Sequence, residues 1–311
     1  MSNYRSQLPQ LGDEIFLTDG GIETTLIFLE GLDVPDFAAF HLLSSTDGRA
    51  ALARYFETYA NLATELGQGV VLETPTWRAS ADWGARLGYS TDQLADANHQ
   101  AVDMVATAGA AVPVPVVISG CVGPRGDGYD PGQIMTVDEA RTYHALQIRT
   151  FARSQADMIG AITMTNTPEV IGLATAAAEA DMPVAISFTV ETDGLLPTGQ
   201  TLRDAIDEVD EATGSHPAYY QISCAHPTHF EHVLDTDEAW SKRIRGLRAN
   251  ASKMSHAELD EAEELDRGSP TELAAHYREL RSRHPQITVL GGCCGTDHTH
   301  VGAIGRACLG Q

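Results

Sequence analysis

Residues 183–224 read PVAISFTVETDGLLPTGQTLRDAIDEVDEATGSHPAYYQISC. Two short runs, PVAISFTV (183–190) and AYYQISC (218–224), flank TLRDAIDEV (201–209), which has helical spacing and opens with Thr followed by an acidic residue, as a capped helix start does. Both runs are apolar throughout instead of alternating, which predicts strands buried on both faces of a parallel sheet with a helical crossover between them.

The same unit recurs along the chain. Strand-type runs occur at EIFLTD (14–19), GVVLET (69–74), PVVISGC (115–121), DMIGAIT (157–163), RIRGLRAN (243–250) and ITVLGGC (287–293). Helical stretches lie between them at 47–67, 90–109, 136–155, 167–180 and 269–284. With the first two, this makes eight strands interleaved with helices, and eight closes a barrel. The expected fold is therefore α/β, one (β/α)8 TIM barrel occupying residues 1–311. The segment SKMSHAELDEAEELDRG (252–268) reads as an acidic, partly helical insertion after strand seven.

Composition sets the context. The chain has 311 residues, 43% hydrophobic and 20% charged, enough for a full globular core. A formal charge of −23 argues against nucleic acid or an anionic membrane as partner, since both require a basic surface. The first residues show neither a basic nor an apolar leader segment, and the most apolar stretch, AGAAVPVPVVISG (108–120), is short and broken by proline. A cytoplasmic location is expected, and in a reducing compartment cysteines serve metal binding, catalysis or packing instead of disulfides.

Five cysteines are present, at positions 121, 224, 293, 294 and 308. Cys293 and Cys294 are adjacent, which disfavours a disulfide between them. In a (β/α)8 barrel the chemistry sits at the C-terminal ends of the strands. Cys224 ends strand six, and Cys293 and Cys294 end strand eight, so three thiols converge on one mouth. Three protein ligands with an open fourth position is the arrangement of a catalytic zinc. From the pattern alone, a shared metal and simple packing stand level for these three, whereas Cys121 and Cys308 read as core residues. Asp19, Glu73, Cys121, Thr163, Glu191 and Asn250 end other strands at the same mouth. Asp297 reads as a helix cap.

These residues lie in motifs that resemble the zinc-dependent homocysteine S-methyltransferase family. The match runs through LTDGGIETTL (17–26), LETPTWRAS (72–80), SGCVGPRGDGY (119–129), SFTVETDGLLPTGQTLRDAI (187–206), ISCAHPTHF (222–230) and GGCCGTDHTH (291–300). The resemblance implies that Cys224, Cys293 and Cys294 are the ligands of a catalytic Zn2+. It implies that Asp19, Gly20 and Gly21 contact the amino-acid part of the thiol substrate, and that Glu73, Thr163 and Asn250 line the same pocket. The partners implied are a small-molecule thiol acceptor and a methyl donor.

One departure bears on specificity. The family commonly reads like ADLLLFETIPS at the end of strand four, with the Glu holding the homocysteine ammonium; here ADMIGAITMTN (156–166) places Ile162 there, before Thr163. Ser223 also precedes Cys224 where the family often has Asn. The implied reaction is methyl transfer from a sulfonium or quaternary ammonium donor, such as S-methylmethionine, S-adenosylmethionine or a betaine, to the zinc-bound thiolate of homocysteine, giving methionine. An alkyl thiol lacking the amino group, or a non-catalytic zinc or thiol redox sensor, are the alternatives. Trp77 is a candidate aromatic wall for a cationic donor.

Overall fold

The computed structural model describes residues 2–262 and 264–310. Eight parallel strands form a closed barrel in sequence order. They are β1 (Phe16–Leu17), β2 (Gly69–Glu73), β3 (Val116–Val122), β4 (Met158–Met164), β5 (Val184–Thr189), β6 (Tyr219–Ser223), β7 (Ile244–Ala249) and β8 (Val289–Gly292). β8 pairs with both β7 and β1, which closes the sheet. The barrel expected from the apolar runs is the barrel observed.

The outer layer consists of α1 (Thr46–Leu66), α2 (Ala81–Arg86), α3 (Thr91–Ala110), α4 (Val137–Ala152), α5 (Thr167–Glu179), α6 (Leu202–Thr213), α7 (Pro227–Leu234), α8 (His256–Asp260), α9 (Pro270–Arg283) and α10 (His298–Leu309). Side-chain caps start most of them: Ser90 with Gln93 and Thr136 with Glu139 form reciprocal capping boxes, and Thr201 and Ser269 cap α6 and α9. Asp297 caps α10, as its sequence context predicts. The stretch after β7 contains the short helix α8; Glu263, within the expected acidic insertion, lies outside the described residues.

Two apolar cores follow from this layering. A large one fills the space between strands and helices. A small one fills the lower barrel, with Leu8, Phe16, Val71, Val117, Met158, Ala185, Tyr219 and Val289 packed together. The N-terminal segment closes that end, because the Asp157 carboxylate accepts hydrogen bonds from the Asn3 and Tyr4 amides, both at 2.7 Å.

Side chains alternate across a strand, so residues two positions further along face the same interior. Above Phe16, Val71, Val117, Ala185 and Tyr219 stand Thr18, Glu73, Ser119, Ser187 and Gln221. The barrel interior thus turns from apolar to polar on the way to the C-terminal mouth, and it is this polar upper half that positions the site.

Candidate active site

The three cysteines come together at the mouth. Cys224 follows β6 with φ +59, a left-handed conformation unusual for a residue with a Cβ. Its Sγ lies 2.6 Å from the Sγ of Cys293, which follows β8. Cys293 is half-buried and Cys294 exposed toward the mouth. Hydrogen bonds from Cys224 and then Cys293 hold the Cys294 thiol well below the ordinary thiol range.

The backbone around them is tightly fixed. Asn250, buried at the end of β7, donates from Nδ2 to the Cys224 carbonyl at 2.9 Å and accepts the Cys294 amide at 3.0 Å. One side chain thus ties the β6 loop to the β8 loop. The Cys293 amide donates to Ala249 O at 2.9 Å and the Ala251 amide to Cys294 O at 3.0 Å. Asn250 is placed between the cysteine loops, with its amide engaged by them.

The segment after β1 docks on the same loop. A Cβ at Gly21 would lie 2.7 Å from Cys293 O, and one at Gly20 would lie 2.8 Å from the Tyr59 hydroxyl, so both positions depend on having no side chain. Asp19 is buried: its Oδ1 accepts from Arg248 Nη2 at 2.6 Å and its Oδ2 from the Tyr55 hydroxyl at 3.0 Å. Burial opposes the Arg248 charge, but Asp19 and Glu73 beside it raise its pKa above the usual guanidinium value.

Glu73 ends β2 inside the barrel. Burial pushes its pKa up to about 7, with Arg248 and Ser119 pulling it back. Glu23, half-buried at the mouth, is also pushed up to about 7 by burial, with the Cys294 and Asp19 charges adding to the rise. Thr163, at the end of β4, has φ +61 within an irregularity of the β4–β5 register. Its hydroxyl accepts from Trp77 Nε1 at 2.8 Å and donates to Ile162 O at 2.6 Å.

Trp77 differs from its expected use. The Arg78 guanidinium lies 4.6 Å from its ring centroid, so the chain's own cation already sits on the indole and would repel a cationic donor there. Cys121 is buried beside Glu73 and Cys308 lies away from the mouth on α10, in keeping with packing roles.

Several mouth residues escaped the sequence reading. The Tyr129 hydroxyl, on the loop after β3, lies 3.0 Å from Cys294 Sγ. Its ring packs on His256 of α8 at a centroid distance of 4.0 Å. His256 in turn reaches the Cys224 carbonyl at 2.5 Å and Glu191 at 3.2 Å. Tyr129 and His256 together roof the sulfurs. Neither stands at a strand end, so position along the strands does not reveal them; Arg248 and Glu23 had no motif role either.

The donor set suits zinc, since three cysteine sulfurs would leave one of its four positions for a substrate. Among the described residues no group of three His, Cys, Asp or Glu side chains yet stands at metal-holding spacing. Two thiolates on one tetrahedral zinc, with bonds of about 2.3 Å, stand roughly 3.8 Å apart. Cys224 and Cys293 therefore have to separate by side-chain rotation to share an ion.

The family model for homocysteine S-methyltransferase matches residues 16–308. The chain belongs to the homocysteine S-methyltransferase family, and hence to the methyltransferase enzymes. Among solved structures it is similar to the homocysteine methyltransferase MmuM from Escherichia coli. For the oxidized form the TM-score is 0.76 at 18% identity, covering 97% of this chain and 99% of that one. For the metallated form the TM-score is 0.74 at 16% identity, covering 94% and 95%. At these identities the likeness speaks for the fold. No curated protein matches the sequence. No helix among the described residues is long and apolar enough to cross a membrane.

Proposed function

We infer that this protein transfers a methyl group from a small sulfonium or quaternary ammonium donor to the thiol of homocysteine, giving methionine, with Zn2+ held by Cys224, Cys293 and Cys294. The observation that carries this reading is the convergence of those three sulfurs beside the Asp19–Gly20–Gly21 segment, in a chain of this family. S-Methylmethionine, S-adenosylmethionine and betaines are the donor candidates, because each releases a neutral product.

Zinc bound there would strip the acceptor thiol of its proton and keep the sulfur nucleophilic at neutral pH. The chain's own residues supply the geometry. Asn250 fixes the two cysteine loops relative to each other, and Gly20 and Gly21 let the β1 loop lie directly on the Cys293 backbone. Tyr129 and His256 cover the sulfurs, which limits water at the site of transfer. The remaining requirement is to hold the donor methyl in line with the acceptor sulfur, a matter of orientation. Asp19, Gly20, Gly21, Glu73, Thr163 and Asn250 form the proposed acceptor surroundings.

Ile162 favours a second reading, in which the acceptor is an alkyl thiol without an amino group. Methyl transfer assayed with sulfonium and betaine donors against homocysteine and 4-mercaptobutanoate tests both. Methyl transfer to homocysteine supports the first reading, transfer to the amino-free thiol alone supports the second, and transfer to neither defeats the enzyme reading.

A further inference from the structure

Helix α5 opens with the residues of a capping box, Asn166 at the N-cap and Glu169 three positions on, yet the box is not closed. In α3, α4, α8 and α10 the side chain at that third position turns back to the N-cap amide. In α5 the Asn166 side chain still accepts from the Glu169 amide at 3.0 Å, but the Glu169 carboxylate turns elsewhere. Its Oε1 accepts the Arg125 amide at 2.7 Å and the Nε2–H of His144 at 2.9 Å, and its Oε2 accepts from Asn166 Nδ2 at 3.3 Å. Glu169 therefore serves the loop after β3 more than its own helix.

That anchor is buried, Glu169 being 4% and His144 1% exposed. Burial works against the Glu169 charge, but the hydrogen bond and charge of His144, with the Arg125 amide and Asn166, hold its pKa below the ordinary carboxylate value. The loop it holds, residues 123–135, has four glycines and two prolines and no helix or strand of its own, so its shape depends on outside contacts. Four residues past Arg125 this loop carries Tyr129, whose hydroxyl lies 3.0 Å from Cys294 Sγ. The span between is braced: Asp127 Oδ1 accepts the Tyr129 amide at 2.9 Å, and a Cβ at Gly128 would lie 3.2 Å from both Thr163 Cβ and Trp77 Cζ2. A shift at Arg125 is thus passed on to Tyr129. The side chain of Arg125 also meets Asp82 at 2.7 Å, but that pair is half exposed and holds the loop only weakly.

We propose that Glu169, backed by His144, is the positioning residue that sets the Tyr129 hydroxyl beside Cys294, acting through the Arg125 backbone. It touches none of the three sulfurs itself. The consequence for methyl transfer rests on the function proposed above, under which this carboxylate holds the roof over the reacting sulfur; the placement of Tyr129 does not rest on it.

Trypsin reads the anchor directly, because Arg125 is itself a cleavage site and cleavage there follows the population of the open loop. Losing a hydrogen bond to a charged group enlarges that population roughly 10- to 100-fold. Glu169→Met, similar in length but unable to accept as a carboxylate does, should speed cleavage of the full chain after Arg125 by that factor. The isosteric Glu169→Gln, which keeps one acceptor oxygen, should speed it less. Iodoacetamide reads the placement: in reduced full-length protein, Glu169→Met should change the alkylation rate of Cys294 as Tyr129→Ala does, and the double variant should go no further. Unchanged cleavage in whichever variant folds overturns the proposal. So does a Cys294 rate that Glu169→Met leaves alone, or one in which the two substitutions add in full. None of these outcomes requires turnover, so a failure of methyl transfer would overturn the proposed function and leave this placement standing.

Discussion

The Asp19 carboxylate and the Arg248 guanidinium meet at 2.6 Å inside the barrel, joining the ends of β1 and β7 across β8 with both side chains almost fully withdrawn from solvent. Such a pair gains little over an apolar packing of the same shape, but breaking it strands a buried charge. Arg248→Met is therefore expected to lower stability by about 3–5 kcal/mol, read from urea unfolding. A loss below about 1 kcal/mol would show that Asp19 finds another partner or protonates readily.

Asn250 makes a prediction about metal affinity. Its amide bridges the backbone of Cys224 and Cys294 without touching either sulfur. Residues that orient ligands in this way typically contribute about 10- to 100-fold in metal affinity. Asn250→Ala should weaken zinc binding by that factor in competition with a chromogenic chelator. Unchanged affinity would mean that the loops hold their own shape.

Gly21 makes a prediction about close approach. A methyl group there would lie 2.7 Å from Cys293 O, against backbone that cannot yield easily. Gly21→Ala is expected to lower stability by about 1–3 kcal/mol. Displacing the β1 loop from the sulfurs should also slow methyl transfer by something on the order of 100-fold, since an ångström of misplacement has effects of that size. Normal kinetics in a folded Gly21→Ala protein would separate this loop from the reaction.

Glu73 sets a pH dependence of stability. Burial raises its pKa from 4.5 to about 7, so the folded state holds this proton more tightly than the unfolded chain does. The stabilisation is fully present below pH 4.5 and is lost as the pH rises through 7; it is on the order of 3 kcal/mol for this group. Glu73→Gln should remove that part of the decline in unfolding free energy between pH 5 and 8. Glu23, raised to a similar value, leaves a residual slope in the same window. A Glu73→Gln protein with the full decline would assign the titration elsewhere.

Much of this architecture is legible from the sequence for one physical reason: a strand buried on both faces of a parallel barrel has to be apolar along its length, so its end is visible where polar residues resume. Cys224, Cys293, Asp19, Glu73 and Asn250 are all readable as strand-end residues in this way. Arg248 is not, because an arginine inside a strand looks like a solvent-facing residue until its partner, 229 positions away just after β1, is known. Tyr129 and His256 sit in irregular segments whose paths no periodicity predicts. Gly160 gives no signal in the sequence, because its meaning depends on a carboxylate reaching over it from β2. Short helices α2 and α7 carry too few turns to display an amphipathic pattern.

On the function proposed above, three sulfurs at one barrel mouth hold the metal that activates the acceptor thiol. The most direct measurement is the zinc content of protein purified under reducing conditions, taken for the unaltered chain and for Cys294→Ala, alongside methyl transfer to homocysteine. About one zinc per chain, lost together with activity in the variant, is the predicted result. Methyl transfer that persists in protein free of zinc, or zinc fully retained by Cys294→Ala, would contradict it.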